Sequence, residues 1–121
     1  MATFVVTEDG ALWIADRRSE HVQCARGGNI LSAGEMAFAV DRGTVRVAEV
    51  SNQSTGYCPE GESWEAVDSV LSKTGMDYPP GFTNTFTFRR CPRCKTTNIV
   101  KENSFVCGYC GNDLPTVWNF S

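Results

Sequence analysis

Two identical cysteine spacings near the end of this chain constrain its fold more than any other feature. Each is a Cys-x-x-Cys pair, the two pairs stand twelve residues apart, and their members are Cys91, Cys94, Cys107 and Cys110. In four-cysteine metal sites each such pair forms a tight turn and supplies two thiolates. Pro92 presets the backbone of the first turn, and Gly108 and Gly111 give the second its freedom. The spacing therefore predicts one metal site of four thiolates.

The segment between the two pairs predicts a short hairpin, in which residues 98–101 and 104–106 flank a turn at residues 102–103. Two cysteine turns joined by a hairpin resemble the zinc-ribbon proteins over residues 91–115, about a fifth of the chain. The resemblance is carried by the four cysteines alone. It implies one structural Zn²⁺, since four thiolates leave no coordination position open for water. Iron in a rubredoxin-like site is the alternative occupant.

Cysteine usage and the first residues bear on location. Four of the six cysteines fall in the two pairs, a pattern typical of metal binding in a reducing compartment rather than of secreted disulfides. The first residues have no basic start, and charged Glu8 and Asp9 interrupt them before a long apolar run develops. We therefore expect no signal peptide, no membrane-spanning helix and a cytoplasmic location.

The charge of the chain is unevenly distributed. Residues 1–85 carry 6 basic and 12 acidic side chains, whereas residues 86–121 carry 5 basic and 2 acidic ones. An acidic body does not suit the wrapping of nucleic acid, because phosphate binding requires a basic face. A smaller nucleic-acid contact stays open through the basic side chains of the ribbon, which are Arg89, Arg90, Arg93, Lys95 and Lys101. The alternative for such a run is an ordinary solvated face.

A turn signal and a run of alternating apolar residues predict two hairpins in the first fifty residues. Residues 3–7 and 11–15 flank an Asp-Gly turn, and residues 21–25 favour a third short strand. Large apolar side chains then recur at every second residue from Met36 to Val40 and again from Val45 to Val47, which directs them to one face of a second hairpin. Gly43 between them suits the left-handed position of a three-residue loop.

The rest of the body predicts one helix and one further strand. Residues 51–61 are rich in turn formers and favour a loop. The helix is expected from Ser63 to Lys73, with Ser63 as its N-cap and Gly75 beyond its end. Residues 82–88 then alternate phenylalanine with threonine in a strand that we expect to join the main sheet and hold the ribbon against it.

Together these patterns predict an α+β fold, a mainly antiparallel β-sheet of about five to seven strands with one principal helix and a C-terminal zinc ribbon. Residues 1–88 are expected to form the β-rich domain, and residues 89–121 the ribbon and its tail. The end of the tail, residues 117–120, carries aromatic side chains that either contact a partner or fold back onto the core.

The remaining cysteines and the single histidine leave two further sites open. His21, Cys24 and Cys58 could bind a second metal ion with Glu35 as the fourth ligand, although two buried cysteines acting as small apolar residues are the simpler interpretation. A cysteine hydrolase could instead use Cys58 as nucleophile and His21 as base, with Glu35 or Asp41 orienting the histidine.

Residues 32–59 resemble a pattern in uncharacterised bacterial modules, some of them at the C-termini of polymorphic-toxin chains. The pattern reads Ala-Gly-Glu, a hairpin, then Asn-x-Ser-Gly-His-Tyr-x-Pro, and this chain departs from it with Gly56 at the histidine. The resemblance implies a shared site lined by Glu35, Asn52, Ser54 and Tyr57, together with His21. The alternative is that these turn formers tie a loop down through side-chain hydrogen bonds.

The favoured function on these grounds is a small intracellular zinc-binding adaptor that recognises a protein partner and catalyses no reaction. One alternative is a small enzyme or toxin-like module that works from His21, Glu35, Asn52 and Tyr57. Another is nucleic-acid contact through the basic ribbon. Convergence of His21, Glu35 and Tyr57 in one concave pocket would favour the enzyme, whereas their separation would favour the adaptor.

Overall fold

Residues 1–16, 18, 20–21, 25, 28–54 and 56–120 are described by the computed structural model of the protein. Their elements are β1 (Ala2–Thr7), β2 (Leu12–Asp16), β3 (Ile30–Asp41), β4 (Thr44–Val50), α1 (Trp64–Leu71), β5 (Thr87–Arg90) and β6 (Thr97–Val100). The first four strands form one antiparallel sheet in the order β2-β1-β3-β4, and β5 pairs with β6 in a separate two-stranded sheet. This mainly antiparallel α+β arrangement, with one short helix and a C-terminal cysteine cluster, confirms the predicted fold class.

The first hairpin forms as the sequence predicts. β1 and β2 pair antiparallel, and the N–H of Thr7 donates to Ala11 O at 2.9 Å across the turn. Gly10 in this turn has a φ of 80°, which glycine adopts without steric cost. Of the predicted third strand at residues 21–25, the middle three lie outside the described residues, and the two ends belong to no strand.

The second hairpin forms with a tighter loop than predicted. β3 and β4 pair antiparallel as far as Asp41 opposite Thr44, so the loop has two residues and the predicted three-residue loop is wrong. Arg42 and Gly43 have φ values of 52° and 79°, as type I′ turns require to match the twist of the strands. The left-handed conformation predicted for Gly43 is confirmed, and Arg42 adopts it as well.

The main core lies between α1 and one face of the four-stranded sheet. Its fully buried side chains are Phe4, Val6, Met36, Val47, Val50, Val67 and Leu71. A register shift interrupts the pairing of β3 with β4 between Ala37 and Phe38. Beyond it, Val47 still reaches the core, whereas Phe38 and Val40 are 38% and 72% exposed, so only part of the alternating apolar set is buried.

The opposite face of the sheet is covered too. Val5 and Ala33 are buried there with Ala25, and Ile30 and Tyr57 pack against them. Burial on both faces explains why β1 is an unbroken apolar run rather than an alternating one. The two central strands are therefore the most firmly held part of the body.

α1 begins where the sequence predicts, with Ser63 at the N-cap position. A 3₁₀ turn at Gly61–Ser63 continues directly into α1, so Ser63 has a helical φ of −62° and its side chain makes no capping hydrogen bond. Its hydroxyl instead accepts a hydrogen bond from Ser32 Oγ at 3.0 Å. α1 ends at Leu71 rather than at Lys73. No helical segment of the described residues has the length and apolar character that crossing a membrane requires.

β5 does not join the main sheet, contrary to the prediction. It pairs with β6. The segment just before it, the connector at residues 77–84, contacts the edge strand β4 instead, and this connector includes Thr83 and Asn84 of the predicted strand. Val47 N–H on β4 donates to Asp77 O at 2.9 Å, and Thr83 N–H donates to Val50 O at 2.8 Å. The two-stranded sheet is therefore attached to the body through this connector.

The chain passes closely over itself at Gly34 in β3. A Cβ atom at this position would lie 1.8 Å from Ser51 O and 3.0 Å from Asn52 Cα, far inside van der Waals contact. The N–H of Ser51 also donates to Glu35 O at 2.8 Å, which fixes the crossing. Only glycine fits here, so the glycine of the Ala-Gly-Glu pattern has a structural reason.

We expect Gly34→Ala to destabilise the protein by about 3 kcal/mol, because the added methyl group forces two backbone segments apart. Gly81→Ala is the matched control, since no atom lies within 4 Å of a Cβ at that position, and its effect should stay within about 0.5 kcal/mol. Urea unfolding followed by circular dichroism measures both. Equal stabilities for the two variants would contradict the close crossing.

Candidate metal centre

Cys91 and Cys94 lie on a tight turn that follows β5. The N–H of Cys91 donates to Thr96 O, and Cys91 O accepts from the N–H of Lys95, each at 2.9 Å. The N–H of Cys94 lies 3.4 Å from Cys91 Sγ. Lys95 closes the turn with a left-handed φ of 67°.

The second cysteine pair repeats this turn. The N–H of Cys107 donates to Asn112 O at 2.8 Å, and Cys107 O accepts from the N–H of Gly111 at 3.0 Å. The N–H of Tyr109 lies 3.4 Å from Cys107 Sγ. Gly111 has a φ of 76°, at the position equivalent to Lys95 in the first turn. The two turns thus share one hydrogen-bonding scheme, and each aims two sulfur atoms at the same point.

The two turns bring four sulfur atoms together. All four Sγ atoms lie within 4.8 Å of one another, none is in a disulfide, and they belong to Cys91, Cys94, Cys107 and Cys110. The Sγ–Sγ distance is 3.5 Å between Cys91 and Cys110 and 3.6 Å between Cys94 and Cys107. A tetrahedral site with Zn–S bonds of about 2.3 Å has edges of about 3.8 Å. The four cysteines can therefore hold a metal ion.

Hydrogen bonds around the cluster favour a thiolate at Cys107. Burial opposes its ionisation, but the N–H groups of Cys110 and Tyr109 and the amide of Asn98 outweigh burial and lower the pKa of Cys107 to about 6. At Cys110 the backbone hydrogen bond with Asn112 lowers the pKa, but burial and the neighbouring sulfurs outweigh it and raise the value to about 11. Protons are thus shared unevenly within the cluster, and a bound dication would displace them.

The side chain of Asn98 on β6 forms hydrogen bonds around the cysteine cluster. Its side-chain amide donates to Cys107 Sγ over 3.5 Å and to Thr96 O at 3.1 Å, and its carbonyl accepts from the N–H of Gly108 at 3.0 Å. One buried side chain therefore touches both cysteine turns, as groups around metal ligands commonly do. The sequence analysis missed Asn98. A polar residue two positions before Val100 on the inward side of a predicted strand was the available signal.

Apolar side chains support the buried half of the cluster. Cys91 and Cys107 are buried with Leu114, and Val100 and Phe105 pack against them. Cys94 and Cys110, in contrast, are exposed. The site is thus embedded on one side and open to solvent on the other.

A groove of about 610 Å³ lies between β6 and the second cysteine turn. Three apolar side chains in it are exposed: Ile99 by 37%, Val106 by 47% and Tyr109 by 76%. Lys101 lines the same groove. The ribbon therefore presents an apolar surface with a positive charge at its side.

Arg89 does not belong to the exposed basic run in which the sequence placed it. It is 4% exposed, and its guanidinium lies 2.9 Å from Glu60 Oε1 in an ion pair. It also donates to the carbonyl oxygens of Phe88, Pro115 and Thr116. These bonds leave it unsuited to phosphate contact, whereas the other four basic side chains of the run are exposed, namely Arg90, Arg93, Lys95 and Lys101.

The aromatic tail folds back onto the body. Trp118 Nε1 donates to Cys58 O at 2.6 Å, and the side-chain amide of Asn119 exchanges two hydrogen bonds with the backbone of Arg90, at 2.9 and 2.7 Å. Phe120 lies under the guanidinium of Arg90, whose Cζ is 5.4 Å from the ring centre. Of the two alternatives for this tail, packing onto the body therefore describes Trp118 and Phe120, while Val117 stays 73% exposed.

The residues proposed for an enzyme site are used mainly to tie backbone segments together. His21 Nε2 lies 2.8 Å from Gly34 O, and the hydroxyl of Tyr57 donates to Gly28 O at 2.8 Å. Tyr57 lines a cavity with Trp118 and Phe120, and neither His21 nor Glu35 is among the described residues that line it. These three side chains therefore do not share that concave site.

Asn52 is buried and fully engaged by backbone groups. Its amide nitrogen donates to Pro59 O at 2.9 Å and to Phe86 O at 2.8 Å, and its carbonyl accepts from the N–H of Phe86 at 2.6 Å. Ser54 Oγ similarly accepts from the N–H of Tyr57 at 3.3 Å. These bonds hold the 52–59 loop in place and tie it to Phe86, as expected if the turn formers of this loop have a structural role.

Cys58 is poorly suited to nucleophilic attack. It is 2% exposed, and burial raises its pKa to about 11, although the charge of Arg90 acts in the opposite direction. A thiol with such a pKa is protonated at neutral pH, and the thiolate is the reactive form. Cys24 lies outside the described residues, so the second metal site with His21 and Cys58 stays a prediction.

Within the described residues the four-cysteine cluster is the one group of three or more histidine, cysteine, aspartate or glutamate side chains placed to bind an ion. Four thiolates fill a tetrahedral coordination shell, which leaves no position for substrate or for a reactive water molecule. Comparison of the chain with protein-family models, with curated proteins and with solved structures found no match. The geometry of the cluster and of the surface beside it is therefore the basis for assigning a function.

Proposed function

We propose that this protein is a small zinc-binding adaptor, in which one structural Zn²⁺ holds a ribbon that recognises a protein partner. The observation that carries the proposal is the approach of the four cysteine Sγ atoms to within 4.8 Å of one another. A closed set of four thiolates is the donor set of structural zinc, and the ion contributes folding free energy rather than chemistry. The ribbon then acts as a rigid platform.

The groove on the ribbon supports a peptide as the partner's contact. Ile99, Val106 and Tyr109 offer exposed apolar surface on a segment too small to bury it by itself. Lys101 at the groove adds a positive charge beside this apolar surface. We infer an extended partner segment that inserts apolar side chains and carries acidic residues beside them.

The test uses a displayed library of linear peptides selected on the zinc-loaded protein. We expect enrichment of peptides that combine apolar and acidic residues. Fluorescence anisotropy of one selected peptide should then show that Tyr109→Ala weakens binding about tenfold or more, because an exposed aromatic anchor is lost. Val117→Ala is the matched control, since Val117 is similarly exposed at 73% but lies outside the groove.

Two results would overturn the assignment of the groove. One is equal binding by the Tyr109 and Val117 variants. The other is a lack of peptide enrichment together with binding of a single-stranded oligonucleotide that weakens steeply with salt, which would favour the nucleic-acid alternative through the exposed basic side chains.

A further inference from the structure

A second concave site lies where the C-terminal tail meets the body. It is a cavity of about 510 Å³, and three aromatic side chains are among the residues that line it, namely Tyr57, Trp118 and Phe120. Its volume falls within the range of small-ligand sites. The described residues that line it have no member in common with those of the ribbon groove. The cavity is therefore a candidate binding site separate from the ribbon.

The aromatic rings of this cavity are held in place by contacts with the rest of the protein. Trp118 Nε1 donates to Cys58 O at 2.6 Å, and the hydroxyl of Tyr57 donates to Gly28 O at 2.8 Å. The ring centres of Trp118 and Phe120 are 5.8 Å apart, with 55° between their planes, so these two rings form adjoining walls rather than a stack. A ligand would therefore meet preorganised aromatic surface, which lowers the cost of binding.

The charge of the cavity is carried by Glu60, and no lysine, arginine or histidine is among the described residues that line it. Glu60 is paired with Arg89, but the arginine side chain is 5% exposed and the glutamate side chain 31%. Arg89 also donates to three backbone carbonyl groups. Its positive charge is thus buried and shared among several acceptors, whereas the carboxylate reaches the cavity. This arrangement favours a cation as the ligand.

We propose that the cavity binds a quaternary ammonium group, with the methyl groups of the ligand packed on the aromatic rings and its charge near Glu60. Aromatic rings attract such cations through their quadrupole, and tryptophan does so most strongly. A methylated ammonium needs no hydrogen-bond acceptors of its own, whereas the bare ammonium of lysine is strongly hydrated and is costly to transfer from water. Rings beside a single carboxylate therefore suit the methylated group better.

Arg90 limits the contribution of one ring. Its Cζ lies 5.4 Å from the ring centre of Phe120, so its charge opposes a second cation on that ring. Arg90 is exposed and is not among the described residues that line the cavity, and solvent screens its charge. We therefore expect Trp118 to contribute more to binding than Phe120. The site uses neither the cysteine turns nor the ribbon groove, so it stands apart from the proposed adaptor function.

The first test compares two ligands of the same shape on the zinc-loaded full chain. Choline carries the quaternary ammonium, and the control is the uncharged alcohol in which a carbon atom replaces the nitrogen of choline. Backbone amide resonances of residues 116–120 in the NMR spectrum follow both titrations. We expect choline to shift them saturably and the uncharged alcohol to bind about tenfold more weakly or less. Equal affinities, or no saturable shift with choline, would overturn the proposal.

Variants of the ring and of the carboxylate then locate the site. Trp118→Phe should weaken choline binding about threefold and Trp118→Leu about tenfold, since each step removes aromatic surface. Glu60→Gln should weaken choline binding about fivefold and leave the uncharged alcohol unaffected. Glu62→Gln is the matched control, because Glu62 is exposed and is not among the described lining residues. Circular dichroism verifies that each variant is folded, and equal choline affinities for the two glutamine variants would overturn the site.

A peptide arm identifies where the ammonium group comes from. One short peptide is prepared with trimethyllysine and again with unmodified lysine, and both are titrated in the same way. Tighter binding of the trimethylated peptide than of choline would support a methylated protein as the source, and the reverse order would support a small molecule. Preference for unmodified lysine would overturn the proposal, because aromatic surface beside one carboxylate favours the less hydrated cation.

Discussion

Replacement of any one of the four paired cysteines by serine is expected to abolish tight metal binding and to unfold the ribbon. Structural zinc contributes about 10 kcal/mol or more to the folding of small zinc domains, which is comparable to the whole stability of an ordinary domain. The ribbon has few other means of support, since its apolar cluster is small and includes two of the cysteines themselves. Loss of one thiolate should therefore cost more than any other single substitution in the chain.

The unequal burial of the four cysteines makes this prediction discriminating. Cys91 and Cys107 are 0% and 3% exposed, whereas Cys94 and Cys110 are exposed. If the cysteines served only to pack the ribbon, serine at the two exposed positions would be almost neutral. If all four bind one ion, serine at an exposed position should be as damaging as serine at a buried one.

Elemental analysis of the purified protein and of each variant measures the effect. We expect about one zinc per unchanged chain and far less in every serine variant, with the ribbon resonances collapsing in the NMR spectrum in step with metal loss. Iron at the same stoichiometry would keep the tetrathiolate site but change its occupant. Retention of metal by Cys94→Ser and Cys110→Ser would contradict the four-ligand site.

Features that depend on residues close together in the sequence were predicted correctly, and features that depend on residues far apart in the sequence were missed. The cysteine turns depend on contacts within about six residues, so the spacing and the glycine at position 111 were sufficient to place them. The two N-terminal hairpins are local in the same sense, because their turns and alternation lie in one stretch of chain. These parts of the fold follow from the residues that form them.

The errors fall where distant segments compete for the same partner. Residues 82–88 alternate like one strand, but the structure divides them: Thr83 contacts β4 as part of the connector, whereas Thr87 and Phe88 pair with β6. Ser63 is an N-cap residue by type and position, yet its hydroxyl bonds to Ser32 and makes no capping hydrogen bond. The partners that decide both outcomes, β4 and Ser32, lie elsewhere in the chain.

Arg89 shows the same limit for a candidate functional residue. Arg89-Arg90 in a basic run is typical of an exposed patch, but strand pairing alternates the two side chains, so one of them must face inward. Glu60 and the carbonyl groups of the tail, which meet Arg89 there, lie 29 residues before it and more than 25 residues after it. The sequence indicated a surface residue. In the structure Arg89 is buried and connects the ribbon to the body through Glu60 and to the tail through Pro115 and Thr116.

The second large effect is therefore expected at Arg89. We expect Arg89→Met to destabilise the protein by about 3–5 kcal/mol, because removal of the buried guanidinium leaves the partly exposed Glu60 carboxylate and three carbonyl groups without their donor. The methionine keeps much of the apolar stem, so the loss reports on the guanidinium. Glu60 would lose its ion pair, and the carbonyl groups of Pro115 and Thr116 would lose their donor.

Thermal unfolding and hydrogen exchange together locate this effect. A loss of that size corresponds to a fall in Tm of about 10–20 °C for a chain of this length, and amide exchange should accelerate in the tail at residues 116–119 before it does in β1 and β3. Arg93→Met is the matched control, because Arg93 is an exposed arginine of the same ribbon and should change stability by less than about 0.5 kcal/mol. A stable Arg89→Met variant with an unchanged tail would mean that the ribbon is attached to the body by other contacts, since the bonds of Arg89 link all three segments.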